Sequence, residues 1–222
     1  MCSRVRKAMS WRFPGRFPGL YSTLDAPMEV PVQVAAYELA TKRYLREGDR
    51  VCDVGFGLGY GLRIMARKAG QLAGIDIDRR AVAGARSLMD TIPRITEVRR
   101  YDGHTIPYDA GSFDVVTCID VIEHVPDYLG LIKEMVRVSR RVVFLSTPNR
   151  LPENTDPDGK PRNHWHLREW SFEELDAILR GIPCIRVEWN FLDGPWEGPF
   201  DSASAPSKHT MALTPSLIRI ST

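Results

Sequence analysis

The stretch that most constrains this chain is Val51-Cys52-Asp53-Val54-Gly55-Phe56-Gly57-Leu58-Gly59-Tyr60-Gly61. An apolar run with an acid near its end reads as a buried parallel strand, and four glycines at alternate positions follow it. Leu62, Ile64, Met65 and Ala66 then recur at helical spacing, so a helix is expected over Leu58 to Lys68. Strand, tight turn and helix N-terminus make a cradle for a nucleotide-like ligand, because glycine lets the backbone turn sharply and approach a bound group. A dinucleotide fingerprint requires Gly-x-Gly-x-x-Gly. Counted from Gly55 its last position is Tyr60, and counted from Gly57 it is Leu62, so the pattern fails in both registers and argues against a NAD enzyme.

What stands at residues 53–59 is Asp-x-Gly-x-Gly-x-Gly. This resembles the first motif of the class I S-adenosylmethionine (SAM) dependent methyltransferases, including the type 11-like group that acts on small molecules, and the resemblance runs from about residue 35 to 180. It implies an α/β, Rossmann-like fold: a seven-stranded, mostly parallel sheet with helices on both faces and an antiparallel last strand. It also implies one domain over residues 1–222, with 1–45 as a lid segment and 46–222 as the core. Trp11, Phe13, Phe17 and Tyr21 would give that segment apolar contacts. SAM is then the expected cofactor, with Gly55, Gly57 and Gly59 against its amino-acid part and Asp53 helping to hold its ammonium.

A second strand is expected over Leu72 to Asp76, and Asp78 as the cap of a helix from Arg79 to about Met89. An acid at the end of the second strand is where a ribose is held through its paired hydroxyls. Asp76 matches that place, with Ile77 beside it. After a third strand, Glu97 to Arg100, the resemblance makes Asp102 the adenine contact with Gly103 next to it, and leaves His104 a bystander on the adenine side. Asp114 anchors the fourth strand, Val115 to Ile119, which delivers Asp120, Glu123 and His124 to the pocket rim. A helix (Asp127 to Arg137) and a fifth strand (Val142 to Ser146) follow. A polar loop of about twenty residues then leads to Ser171, which caps a helix over Phe172 to Leu179. Ile185 to Phe191 and Thr210 to Thr214 read as a closing antiparallel pair.

The chemistry is expected at the end of the fourth strand. A neutral hydroxyl is a poor nucleophile, so a base or a metal is needed to methylate one. Acid-x-x-Glu-His with a later His resembles two metal-using groups, the ubiquinone-biosynthesis O-methyltransferases and the enzymes that modify the terminal ribose of small RNAs. The resemblance implies a tentative ligand set of Asp120, Glu123, His124 and His166 for Mg²⁺ or Mn²⁺, with Asp120 also placed among the cofactor contacts. Without a metal, the catalytic residues are His124, His166 and Glu123, one imidazole acting as base. His166 is preferred to His164 for the pocket. A single His before Arg-Glu-aromatic also resembles methyltransferases of sugar and glycan pathways. A small sugar-like acceptor is therefore expected, with terminal RNA ribose, an aromatic or polyketide acceptor, and a non-catalytic SAM binder as alternatives.

Composition narrows the partners. A formal net charge of +2 gives no general attraction to nucleic acid or anionic lipid, and no window is apolar enough to span a bilayer. Cys2, Cys52, Cys118 and Cys184 show no close-pair spacing, which fits a reduced, cytoplasmic protein. A homodimer is left open.

Overall fold

A computed structural model describes residues 31–193 and 210–220. The expected aromatic lid contacts before residue 31 and the Gly/Pro/Ser-rich connection between the last two strands lie outside the described residues. In chain order the elements are α1 (Pro31–Arg43), β1 (Arg50–Val54), α2 (Tyr60–Met65), β2 (Gln71–Asp76), α3 (Arg79–Thr91), β3 (Ile95–Arg100) and β4 (Phe113–Ile119). They continue as α4 (Tyr128–Val138), β5 (Ser139–Pro148), α5 (Phe172–Arg180), β6 (Ile185–Asp193) and β7 (Thr210–Arg219).

The strands form one seven-stranded sheet in the order β3-β2-β1-β4-β5-β7-β6. β7 pairs antiparallel with β5 and β6, while the pairings among β1 to β5 are parallel. Alternate residues of each strand feed different halves of the core, as the pleat requires. Val51, Val115, Val142 and Phe144 pack with α1, α2 and α3 on one face. Cys52, Val116, Val143 and Leu145 pack with α4 and α5 on the other. This is the expected architecture, with helices on both faces. No helix among the described residues is long and apolar enough to cross a membrane.

Local chemistry sets the boundaries. Asp78 caps α3 by accepting from Arg80 N–H, Asp127 caps α4 by accepting from Gly130 N–H, and Ser171 with Glu174 forms a capping box for α5. Asp114 accepts from Arg50 N–H at 2.9 Å and so ties the start of β4 to β1. β5 is twice its expected length, running Ser139–Pro148 rather than Val142 to Ser146, and two further elements differ from the sequence expectation. α2 spans only Tyr60–Met65, because left-handed Gly59 (φ 79°) precedes it and the chain after Met65 tightens into turns, with Lys68 N–H bonding Met65 O at 3.0 Å. β7 runs to Arg219, beyond the expected end at Thr214, and passes through Pro215. Its pairing with β5 skips from Phe144↔Ser216 to Thr147↔Leu213, so the residue that lacks an N–H sits in a gap of that ladder.

Parallel order reverses between β1 and β4, so the turns after these two strands flank a crevice at the topological switch point. One side is fixed by α1, whose Tyr37 ring lies directly against Gly61, where a Cβ would run into the ring. Gly61→Ala should therefore destabilise the protein by about 1–3 kcal/mol through overpacking. Gly84→Ala, in the exposed middle of α3 with no atom within 4 Å of the added Cβ, should be neutral or stabilising by up to about 1 kcal/mol. Urea unfolding of the two variants checks both signs.

Candidate functional site

The turn after β1 is built for close approach. Gly55, Gly57 and Gly59 all have left-handed backbone, at φ 77°, 55° and 79°. A Cβ on Gly55 would lie 2.5 Å from Val121 Cγ2, and one on Gly59 would lie 2.8 Å from Leu88 Cδ1, whereas one on Gly57 would meet nothing within 4 Å. The outer two glycines thus serve packing, and the middle one leaves open space of the kind a bound ligand fills. Asp76, at the end of β2, holds this loop: Gly57 N–H donates to Oδ2 at 2.9 Å and Asp78 N–H to Oδ1 at 2.8 Å. Burial raises the pKa of Asp76, and these backbone donors oppose the rise.

Asp53 is placed differently from an open ligand contact. Its side chain is fully buried and accepts Tyr37 O–H at 3.0 Å and Thr117 O–H at 2.7 Å, so both oxygens face protein hydroxyls. Burial pushes its pKa up to about 7, with the two hydroxyls pulling the other way. After β3, Asp102 lies in an exposed turn where His104 and Thr105 N–H groups donate to Oδ1, each at 2.8 Å. Burial raises the Asp102 pKa, but these donors outweigh it and leave the carboxyl below its ordinary range. Gly103 beside it is left-handed, and a Cβ there would press on Ile77 Cγ2.

β4 ends at Asp120, a non-glycine residue with φ 51°. This left-handed step turns the chain sharply into a short 3-10 turn, Ile122–His124. Ser146 O–H and Gln33 bond the Asp120 carboxylate, and burial raises its pKa against them. Tyr60 O–H in turn bonds Gln33, so a side chain of α1 links the glycine loop to the tip of β4.

The next turn brings acids and imidazoles together. Glu123 is fully buried, with Oε2 accepting Thr147 O–H at 3.2 Å and Oε1 without a hydrogen-bond partner among the described residues. Burial, then the nearby Asp120 charge, holds its pKa well above the carboxylate range. His124 Nε2 lies 4.0 Å from Glu123 Oε1. Its Nδ1 lies 2.9 Å from the carbonyl of Trp165, and since a carbonyl only accepts, Nδ1 carries the hydrogen and Nε2 the lone pair. Burial lowers the pKa of this imidazole.

The long loop supplies His166, whose ring centroid is 4.8 Å from that of His124. Glu123, His124 and His166 offer ligand atoms all within 4.8 Å of one another. The orphaned Glu123 oxygen and the imidazole lone pairs fit a divalent cation. Asp120, expected in the same set, stands outside this group with Ser146 and Gln33. His164 packs on Trp165 and also stays out. His104 remains in the turn after β3.

The loop is ordered by its own bonds. Asn149 and Trp170 form a parallel bridge, Thr155 and Pro161 an antiparallel one, and Leu167 N–H donates to Glu123 O at 2.9 Å. Glu169, absent from the sequence-based site, is buried with Oε1 2.5 Å from His166 Nδ1. In the sequence it stood only as the acid of the Arg168-Glu169-Trp170 motif, three residues after His166, and was given no role.

A glycine turn at a switch point, beside a buried acid–imidazole group, is an arrangement suited to a nucleotide-like ligand next to groups that can hold a cation or move a proton. Residues 52–145 match the family described as "Methyltransferase domain". A protein of Mycobacterium tuberculosis named "Probable S-adenosylmethionine-dependent methyltransferase" is 36% identical over 151 residues, 67% of this chain and 52% of the relative. A ubiquinone biosynthesis O-methyltransferase of Vibrio parahaemolyticus is 33% identical over 106 residues, 46% of this chain and 45% of the relative. The chain spans about half the length of these curated relatives. The crystal structure of the YcgJ protein from Bacillus subtilis superposes with a TM-score of 0.65 at 16% identity, over 85% of this chain and all of that one, which shows the fold. Residues 52–145 are thus similar to a methyltransferase domain, and the surrounding chain is similar to relatives named as SAM-dependent methyltransferases.

Folding raises the Asp53 pKa from 3.8 to about 7. Its stabilising contribution as the neutral acid is therefore complete below about pH 4 and is lost as the pH rises through 7. The Tyr37 hydroxyl favours the ionised form. Tyr37→Phe should then cost about 1–3 kcal/mol, with a larger loss at about pH 8.5 than at about pH 5.5. Urea unfolding of both proteins at the two pH values measures it; a penalty larger at the lower pH would refute the assignment.

Proposed function

We propose that this protein is a SAM-dependent O-methyltransferase acting on a hydroxyl of a small sugar-like molecule, with a divalent cation held by Glu123, His124 and His166. The observation that carries this reading is the unpartnered oxygen of buried Glu123, set among two imidazoles at the end of β4. An uncompensated buried carboxylate is costly, and a cation or an acceptor hydroxyl would satisfy it. The O-methyltransferase named among the relatives supports oxygen as the acceptor atom.

In this reading the cofactor lies between the two turns that flank the crevice. Gly57 gives it room, Asp76 receives the ribose hydroxyls while still holding Gly57 N–H, and Asp102 with Gly103 meets the adenine. Asp120, linked through Gln33 to Tyr60, borders the amino-acid end. SAM supplies an electrophilic methyl on a sulfonium, and a cation on the Glu123 group supplies the Lewis acidity that lowers the pKa of an acceptor hydroxyl. His124 and His166 orient that hydroxyl toward the methyl, where alignment contributes much of the rate; with the cation held, the acidified hydroxyl would give its proton to solvent, and without it an imidazole lone pair takes the proton. The loop from Asn149 to Arg168 forms the acceptor side. We place residues 1–222 in one domain and the protein in the cytoplasm, with a small molecule rather than nucleic acid as partner.

The test is calorimetric titration of Mn²⁺ and Mg²⁺ into protein saturated with S-adenosylhomocysteine, with His166→Ala in parallel. Saturable binding lost in the variant is expected. If neither ion binds, the cation is removed from the mechanism and the imidazoles remain as the base. Separately, Asp76→Ala should abolish measurable S-adenosylhomocysteine binding, because it frees the glycine loop and removes the ribose acceptor together. Wild-type affinity in that variant would sink the cofactor placement.

A further inference from the structure

His166 is gripped at both ring nitrogens by its own loop. Nδ1 lies 2.5 Å from Oε1 of Glu169, and Nε2 lies 2.9 Å from Nδ2 of Asn163. With the hydrogen on Nδ1, the ring donates to this oxygen. The Asn163 contact puts it there. Its Oδ1 accepts the backbone N–H of Trp165 at 3.1 Å, which turns the NH₂ end toward His166. That end only donates, so Nε2 carries the lone pair. The residue is further held through its backbone, His166 N–H bonding Asn163 O at 2.9 Å.

Glu169 is an expensive residue in this place. Its side chain is 2% exposed, and Oε2 has no hydrogen-bond partner among the described residues. Removing a carboxylate from water in this way is costly unless the contact it makes is needed. The contact it makes is with one imidazole nitrogen.

We propose that Glu169 is a positioning residue that fixes His166 as its Nδ1–H tautomer, keeping the Nε2 lone pair ready for a proton or a cation, with Asn163 as the resting partner of that lone pair. A carboxylate behind an imidazole also strengthens the far nitrogen as a ligand or base. The functional meaning rests on the reading of Glu123, His124 and His166 as the reaction centre; the tautomer itself does not. His124, bonded through Nδ1 to Trp165 O, has the same form, so both rings carry their lone pair on Nε2.

The tautomer is read from long-range ¹H–¹⁵N spectra of ¹⁵N-labelled full-length protein, with His166→Ala assigning the signal. The wild type should show His166 protonated on Nδ1. Glu169→Ala should lose that signature and give a mixed or Nε2–H form, and Glu169→Gln should restore it, since the amide oxygen still accepts from Nδ1. Affinity for S-adenosylhomocysteine should be the same in all three proteins, which separates loss of the tautomer from collapse of the pocket. A wild-type ring protonated on Nε2 overturns the proposal without recourse to any variant. A Glu169→Ala protein that keeps the Nδ1–H form overturns the role of Glu169. Failure of every protein to bind S-adenosylhomocysteine, with the tautomer pattern as expected, would leave the proposal standing and count against the cofactor reading alone.

Discussion

A carboxylate withdrawn from water has to be met by donors, by opposite charge or by a proton. The end of β4 is arranged around one that is met incompletely. Glu123 receives a single hydroxyl, from Thr147, and its other oxygen faces His124 Nε2 at 4.0 Å. A second buried acid, Glu169, stands behind His166. Two acids and two imidazoles in a dry place make a strong appetite for protons or a cation, and the backbone has been made rigid enough to sustain it. Leu167 N–H on Glu123 O and His124 Nδ1–H on Trp165 O stitch the turn after β4 to the loop that carries His166. Neither turn can move without breaking a bond to the other.

The same economy appears on the cofactor side. Asp76 does more than wait for a ribose, because it already organises the glycine turn through Gly57 and Asp78. Asp53 works from behind that turn, joining α1, β1 and β4 through two hydroxyls. The strain of a left-handed Asp120 is absorbed where Ser146, Gln33 and the start of the 3-10 turn converge. Such backbone strain persists only where the surroundings over-determine it, which is why it sits at the mouth of the crevice.

The fold was largely legible in the chain. Apolar runs bounded by Gly and Asp marked the parallel strands, Asp78, Asp127 and Ser171 announced helix starts, and the Gly55–Gly59 spacing marked the switch-point turn. The clustering of Glu123, His124 and His166 followed from the resemblance rather than from spacing, since His166 stands 42 positions after His124 and no local rule bridges them. Glu169 stood in a recognised motif without a role, because burial, not identity, makes it matter: the same glutamate on a wet surface would only be a solvated charge. Tyr37 and Gln33 were missed because their partners are distant in sequence, Asp53 and Tyr60 lying 16 and 27 residues on. The end of β7 was placed at Thr214, five residues short of Arg219; the strand passes through Pro215 because that residue falls in a local gap of the β5 ladder.

The twenty-odd residues between β5 and α5 are anchored at the feet by Asn149↔Trp170 and again higher up by Thr155↔Pro161, with Arg162 N–H bonding Asn154 O at 2.8 Å. Beyond the upper bridge lies only the exposed tip 156–160. Loop tips of this kind are where chains accept insertions and deletions with the least harm. The segment is thus divided into a fixed stem that carries the imidazole and a free end that does not. Descendants of this chain can lengthen or shorten the tip, and so meet a different acceptor, while the reacting groups keep their register.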